Sequence, residues 1–303
     1  MTTIAALQCV ERGLFTLDSA EDVKRLIPER TSFNDILTGF DDSGNPVFKK
    51  AAAEITTRQF LTHTSGVGYD LTLFLERWRK HRGEESLTLS GEIIKGYLTP
   101  LTFNPGDSWE YGAGLDWAGL MIERANGGKK LGQFMKENIW DPLGMTSTTF
   151  HLEEQEDVRT RLASMSVRLP SGEIAPFNVS VLKDPAKDDL GGAGIFSTAT
   201  DYLRILASIL RNDEKLLKKE SVEEMFTPQL TPVQKAAYMK LADGIPGLNT
   251  HLAGRLKPGT EITWGLGGAI IEEDVPDGRK KGSMFWGGLP NLCWVCKWTL
   301  CMR

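Results

Sequence analysis

The chain carries at residues 55–66 the stretch Ile55-Thr56-Thr57-Arg58-Gln59-Phe60-Leu61-Thr62-His63-Thr64-Ser65-Gly66. Thr56 or Thr57 can cap a helix that runs through Leu61, because a threonine hydroxyl accepts a hydrogen bond from the free N–H groups at a helix start. The threonine, serine and glycine that close the stretch are typical of a turn. The stretch therefore predicts a short helix that ends at a turn.

Two helices and a β-hairpin are predicted on the N-terminal side of this stretch. Apolar residues recur at helical spacing over Thr2–Glu11, and Gly13 is suited to end that helix. A second helix is expected around Ala20–Leu26. Strand signals at Ile36–Phe40 and Val47–Lys49 flank the turn of a hairpin.

Helices dominate the middle of the chain and strands its end. The predicted helices are Leu71–Arg82, Leu89–Tyr97, Leu115–Ala125, Leu131–Ile139, Tyr202–Leu210 and Ser221–Phe226. Ser221 and Glu224 have the spacing of a capping box at the start of the last of these. The predicted strands are Ala163–Leu169, Glu173–Pro176, Ile262–Ile271, Ser283–Trp286 and Leu292–Trp298.

The composition is that of one globular domain. The chain has 303 residues, 41% of them hydrophobic, and no Pro/Gly/Ser-rich linker divides it. Strands toward both ends and helices between them predict a single mixed α+β domain over 1–303. A sheet lobe is expected from about 1–54 and 251–303, and an inserted helical lobe from about 55–250.

Charge and hydropathy argue against nucleic acid and membrane partners. The net charge is −5 and the two signs are interspersed, so there is no basic surface for nucleic acid. No apolar run approaches the ~18 residues of a membrane-spanning helix. Met1–Leu7 lacks the positive charge and cleavage site of a signal peptide, which predicts a cytoplasmic protein.

Two familiar kinds of site are considered and set aside. His63 and Ser65 are hydrolase residue types, but the G-x-S-x-G elbow is absent and near neighbours cannot easily face each other in a triad. We therefore interpret His63 as a structural residue that fixes the loop. Cys293 and Cys296 have metal-ligand spacing but no second pair or nearby histidine, so no metal is expected.

Three glycine-rich segments carry more information. In Trp109–Trp117, a turn that contains glycines places Tyr111 just before a predicted helix. Gly191–Thr198 lies directly before another helix. In Trp286–Asn291, two glycines of a predicted strand leave its backbone uncovered.

Together these segments resemble the β-lactamase-related serine enzymes, a family that includes class C β-lactamases, DD-peptidases, related esterases and fungal lovastatin-type side-chain acyltransferases. The resemblance runs through nearly the whole chain. Ala6–Gly13 looks like the back half of the nucleophile helix, residues 55–66 look like the most recognisable stretch, and Ser221–Leu230 is similar to a run before the sheet strands. It implies a β-lactamase/DD-peptidase-like fold, an antiparallel sheet lobe with an inserted helical lobe.

The resemblance implies covalent acyl transfer through a serine, with a lysine one helical turn later. It assigns the proton shuttle to Tyr111, and one N–H of the oxyanion hole to the backbone of Leu289. Trp286, Gly287 and Gly288 fall where β-lactamases have K-T-G and are the expected substrate-binding residues. Tryptophan in place of lysine removes the cation that binds a β-lactam carboxylate. An esterase or transesterase is therefore expected, not a β-lactamase.

The expected substrate is a small-molecule ester or thioester acyl donor, including an acyl-carrier-bound one, and no cofactor is implied. The nucleophilic serine and its lysine are expected immediately before Met1, so the chain as written holds no nucleophile. Ser180-x-x-Lys183 matches the spacing but lies between prolines without a helical pattern, and we interpret it as a chance match.

The chain is also expected to be incomplete at its other end, because Val295–Arg303 departs from the family pattern. Whether this polypeptide is an enzyme therefore stays open at the level of sequence. The alternative is a catalytically dead fragment, or a pseudoenzyme that binds a ligand in the former active-site cleft.

Overall fold

The computed structural model describes residues 1–178, 182–244, 256, 259–276, 278–288 and 292–297. The helices are α1 Thr2–Glu11, α2 Ala20–Leu26, α3 Pro28–Ser32, α4 Thr57–Thr62, α5 Leu73–His81, α6 Ile93–Tyr97, α7 Gly114–Ala125, α8 Leu131–Met135, α9 Asp141–Leu143, α10 Glu156–Arg159, α11 Ala199–Arg211, α12 Lys219–Phe226 and α13 Pro232–Gly244. A π-helical turn, Lys136–Trp140, continues α8, and a 3₁₀ turn spans Leu152–Glu154.

The strands form three antiparallel sheets. The strands are β1 Asp35–Phe40, β2 Pro46–Lys50, β3 Met165–Arg168, β4 Ile174–Phe177, β5 Ile262–Trp264, β6 Ala269–Ile271, β7 Ser283–Gly288 and β8 Leu292–Lys297. Two of the sheets are hairpins, β1-β2 and β3-β4, and the third sheet is a meander in the order β5-β6-β7-β8. The predicted mixture of helices with antiparallel strands is confirmed. The division into a sheet lobe and a helical lobe stays a prediction.

The start of the chain is a central part of the core. Every residue from Thr2 to Cys9 is buried, and α1 packs against α7. Ala5 and Ala6 are wholly buried, and small side chains let two helices approach closely. The N-terminal helix thus lies beside the helix that follows Tyr111.

Helix α4 begins with a capping box that the sequence only partly predicts. Thr56 is the capping residue, and its N–H donates to Oε1 of Gln59 at 3.0 Å while its hydroxyl accepts from the Gln59 N–H. His63 ends the helix in the left-handed conformation at φ 59°. The same helix packs on α7, where a Cβ on Gly114 would lie 2.3 Å from the Phe60 carbonyl oxygen.

Three predictions from the sequence need correction. The predicted strand Ile262–Ile271 is two strands, because the chain turns at Gly265–Gly268 and its halves pair with each other. The predicted helix Leu89–Tyr97 is helical only over α6. Helix α13 was not predicted.

The third correction is the capping box predicted at Ser221. Helix α12 begins earlier, after Lys218, with no side-chain cap. The Ser221 hydroxyl donates instead to Oε1 of Glu11, at 2.6 Å. A tertiary partner has therefore replaced the local one.

Among the described residues, no helix has the length and apolar character needed to cross a bilayer.

Candidate active site

Tyr111 lies between a turn and the start of α7, and His63 holds the backbone on both sides of it. The N–H of Glu110 donates to the His63 carbonyl at 3.0 Å, and the N–H of Gly112 donates to Nδ1 of His63 at 3.3 Å. These contacts agree with the interpretation of His63 as a structural residue. The end of α4 and the start of α7 are thereby joined around Tyr111.

His63 is buried, and burial lowers its pKa to about 3. It is therefore neutral at physiological pH, and because Nδ1 accepts a hydrogen bond, the ring proton lies on Nε2. Nε2 has no hydrogen-bond partner among the described residues. The imidazole meets the Trp264 ring at 5.1 Å and 80°. A neutral imidazole in this position supplies shape and orientation but no charge to Tyr111.

Tyr111 belongs to an aromatic cluster, by which we mean His63, Tyr69, Trp109, Tyr111, Tyr238, Trp264 and Trp286. Trp286 of β7 meets Tyr111 at 5.4 Å between ring centroids and Trp264 at 4.5 Å. On another side, the Tyr69 ring lies 5.8 Å from that of Tyr111. Two predicted site residues that are far apart in sequence, Tyr111 and Trp286, are thus in contact.

The pKa of Tyr111 is raised, and burial is the main cause. The charge of Asp116 raises it further, whereas a hydrogen bond from Trp286 lowers it. The phenol is consequently neutral near pH 7 with these neighbours alone. It can donate a proton as it stands, and it would need a nearby cation to accept one.

Gly287 and Gly288 end strand β7 beside the cluster. They pair with Cys293 and Leu292 of β8, so one side of their backbone is used by the sheet. Leu289, the predicted oxyanion donor, lies outside the described residues. The roles of Tyr111, Trp286, the two glycines and Leu289 stay predictions.

Among the described residues, the other candidates from the sequence assemble no second site. Ser180 lies outside the described residues, and Lys183 is exposed, with its backbone N–H on the Leu89 carbonyl. Cys293 is exposed and Cys296 is buried, because residues three apart on a strand point to opposite faces. The two thiols of β8 therefore cannot hold one metal ion together. In the described ranges, no group of metal-ligating side chains is assembled.

Sequence reasoning missed two residues beside Tyr111. Tyr69 follows the glycine-rich turn after α4, and Asp116 is a wholly buried carboxylate in the first turn of α7. The one signal for Asp116 was a single acidic residue among apolar ones at the start of a helix. Its depth could not be known without the packing of α7 against its neighbours.

Close packing at Gly112 leads to a testable prediction. A Cβ at this position would lie 2.0 Å from the Val67 carbonyl oxygen and 2.8 Å from the Gly68 Cα. We expect Gly112→Ala to lower the free energy of unfolding by about 1–3 kcal/mol, because backbone atoms cannot move aside cheaply. Gly39→Ala is the matched control, since nothing lies within 4 Å of its Cβ position. Equal denaturation midpoints for the two variants would contradict the packing described here.

Comparison with known proteins adds independent information. A family model described as Beta-lactamase matches residues 1–271. The chain is 38% identical over 297 residues to the monacolin J acid methylbutanoyltransferase of Aspergillus terreus, a match covering 97% of this chain and 70% of that protein. It is 37% identical over 297 residues to the lovastatin esterase of Penicillium rubens, covering 97% of this chain and 73% of the esterase.

A solved structure supports the same relationship. Unliganded simvastatin synthase of Aspergillus terreus superposes with a TM-score of 0.88 at 36% identity, covering 98% of this chain and 72% of the synthase. Together with the family match, this superposition confirms the β-lactamase/DD-peptidase-like fold that the sequence predicts.

Proposed function

We propose that this chain, because it belongs to the beta-lactamase family, takes an acyl group from an ester or thioester through an acyl-serine and passes it to water or to an alcohol. The observation that carries the proposal is the contact between Tyr111 and Trp286, 5.4 Å between ring centroids. It brings a tyrosine at a helix start beside a strand that ends in two glycines, and the family resemblance assigns the proton shuttle and substrate binding to these two elements.

Tyr111 moves protons in the proposed reaction. As the serine oxygen attacks the acyl carbonyl, its proton passes toward the phenol oxygen, and Tyr111 then returns a proton to the departing alcohol or thiol. In the second half, an acceptor alcohol gives up its proton along the same path as the acyl group leaves the serine. Because burial raises the Tyr111 pKa, the accepting form needs a neighbouring ammonium. The family resemblance assigns this ammonium to the lysine one helical turn after the nucleophilic serine.

The neutral indole at position 286 supports esters rather than β-lactams as substrates. Trp286 is half-buried and packs on Trp264, so its ring presents apolar surface next to Tyr111. A β-lactam carboxylate needs a cation at this place, whereas an apolar acyl or alcohol group gains from contact with an aromatic ring. The relative named as a methylbutanoyltransferase supports an acyl group of modest size.

A pseudoenzyme was the alternative at the level of sequence, and the comparisons give it no support. The named relatives are an acyltransferase and an esterase. We therefore keep catalysis as the proposal and make loss of catalysis an outcome of the test.

The proposal predicts a covalent intermediate. The chain, expressed together with any in-frame codons upstream of Met1, is expected to gain the mass of one butyryl group when mixed with p-nitrophenyl butyrate and to release nitrophenol. An added alcohol should speed turnover and yield its butyryl ester, and a chromogenic cephalosporin should stay intact. A protein that neither gains mass nor releases nitrophenol would contradict the proposed enzymatic function.

A further inference from the structure

Asp116 is a buried acid that the reaction proposed above does not use. It is the third residue of α7, five positions after Tyr111, and its relative exposure is 0%. No lysine or arginine pairs with it in the part of the chain that the structure describes. Carboxylates are rarely buried without a cation, so its other contacts must account for its place.

Three segments of the chain meet at this carboxylate. The N–H of Gly192 donates to Oδ1 at 3.0 Å, and the hydroxyl of Tyr69 donates to Oδ2 in a long contact of 3.5 Å. A Cβ on Gly192 would lie 2.7 Å from Oδ2 and 3.2 Å from the Tyr69 hydroxyl oxygen, so a larger residue would force the three apart. Asp116 therefore holds the Tyr69 hydroxyl against a glycine backbone.

Tyr69 connects this carboxylate to the proposed proton shuttle. Its ring lies 5.8 Å from the Tyr111 ring at 65°, and the Tyr97 ring lies 5.8 Å away on another side. Burial and the charge of Asp116 both raise the pKa of Tyr69, so it is a neutral phenol that donates to the carboxylate. A change in the protonation of Asp116 therefore affects Tyr111 in two ways, through the contact with Tyr69 and through the charge of the carboxylate.

We propose that Asp116 is a positioning residue, which fixes Tyr69 against Tyr111 and lets the charge of its own carboxylate control proton transfer by Tyr111. This proposal rests on the proposed acyl transfer. It does not give Asp116 contact with a reacting atom. Among the described residues, the titratable groups facing Asp116 are the phenols of Tyr69, Tyr97 and Tyr111, whose pKa values it raises.

Burial raises the pKa of Asp116 to about 7, while hydrogen bonds from Gly192 and Tyr69 act in the opposite direction. The charge therefore changes near neutral pH. Above that pH the carboxylate accepts the Tyr69 hydrogen bond, and below it the protonated acid can donate and the arrangement loosens. Activity is expected to fall as the pH is lowered through about 7. The free energy of unfolding should rise as the pH is lowered through about 7. The reason is that an acid with a raised folded-state pKa stabilises the protein most when it is protonated.

The test compares Asp116→Asn with Tyr69→Phe and with the double variant. Asparagine keeps the shape of the side chain but cannot ionise, so kcat above pH 7 should fall about tenfold with KM little changed. The fall in activity near pH 7 should disappear from its pH profile. Tyr69→Phe should lose a similar factor, and the double variant should lose no more than either single one. Asp116→Asn should unfold at the same temperature as the parent or above it at alkaline pH, which excludes a folding defect as the cause.

A second readout does not need turnover. With carbon-13-labelled tyrosine, the Tyr111 resonance, assigned by its loss in Tyr111→Phe, should shift between about pH 6 and 8 in the parent and not in Asp116→Asn. If the parent shows no acyl transfer, the proposed function fails, and this resonance alone decides whether Asp116 is coupled to Tyr111. If the parent is active but Asp116→Asn keeps the pH profile and the Tyr111 shift, this inference is overturned while the proposed function stands.

Discussion

Replacing Tyr111 with phenylalanine is expected to lower kcat for p-nitrophenyl butyrate by about 100-fold to 10,000-fold. The substitution removes one oxygen atom and leaves the ring in contact with Trp286 and His63. In the proposed reaction, loss of the hydroxyl leaves neither the serine nor the leaving group with a proton carrier. Binding of the substrate depends mostly on surface that the ring retains, so KM should change much less than kcat.

The large effect must come from the hydroxyl and not from disturbed packing. Tyr238→Phe is the matched control, because Tyr238 is a buried member of the same aromatic cluster whose hydroxyl has no hydrogen-bond partner among the described residues. It should turn over like the parent. The two variants should have similar unfolding temperatures. If Tyr111→Phe keeps more than about a tenth of the parent kcat, Tyr111 is not the proton shuttle.

The second large effect is expected on stability, at Asp70. Its side chain is 0% exposed and its Oδ2 lies 2.8 Å from Nε of Arg79, which is itself 4% exposed. The same carboxylate accepts hydrogen bonds from the Ser86 hydroxyl at 2.6 Å and the Leu87 N–H at 2.9 Å, and the Thr88 hydroxyl also donates to it. Asp70 thus organises the chain between α5 and α6.

Asp70→Ala should lower the free energy of unfolding by about 3–5 kcal/mol, because it removes the fully buried partner of the Arg79 guanidinium, which keeps only the half-buried Glu84 as an ionic partner. It also leaves the donors of the segment between α5 and α6 without their acceptor. Urea denaturation at neutral pH measures the difference. Glu76→Ala is the control on α5, the helix that carries Arg79. Its ion pair with Lys80 is exposed, 36% at Glu76 and 61% at Lys80, and should contribute no more than about 1 kcal/mol. Similar losses in both variants would contradict the picture of a buried ion pair that organises this region.

The pH dependence of the stability lost in Asp70→Ala follows from the pKa of Asp70. Burial alone would raise that pKa, but the hydrogen bonds from Leu87, Ser86, Thr88 and Arg79 hold it below its ordinary value. A lowered folded-state pKa means that the stabilisation is present above the unfolded pKa of about 4 and is lost as the pH falls through the folded one. The gap between the parent and Asp70→Ala should therefore be widest at neutral pH and close in acid.

Local patterns were enough to predict most elements of the fold. Helix α1 has the predicted bounds Thr2–Glu11, and the hairpin β3-β4 lies where two short predicted strands flank turn residues. Both depend on contacts between residues close in sequence, such as caps and helical periodicity. The capping box at Ser221 was wrong because Glu11, far away in sequence, offers the serine a partner that local reasoning cannot include.

The candidate site divides in the same way. The resemblance to a known family, carried by sequence motifs, selected Tyr111 and the strand from Trp286 and predicted the family fold. Their contact, the neutral His63 between two loops, and the junction of Tyr69, Asp116 and Gly192 were decided only by the tertiary structure. The physical reason is that distance and burial set pKa values and hydrogen bonds, and both arise from packing between segments far apart in the chain. The printed sequence shows an acidic residue at 116, and only the fold makes it a buried acid beside a tyrosine.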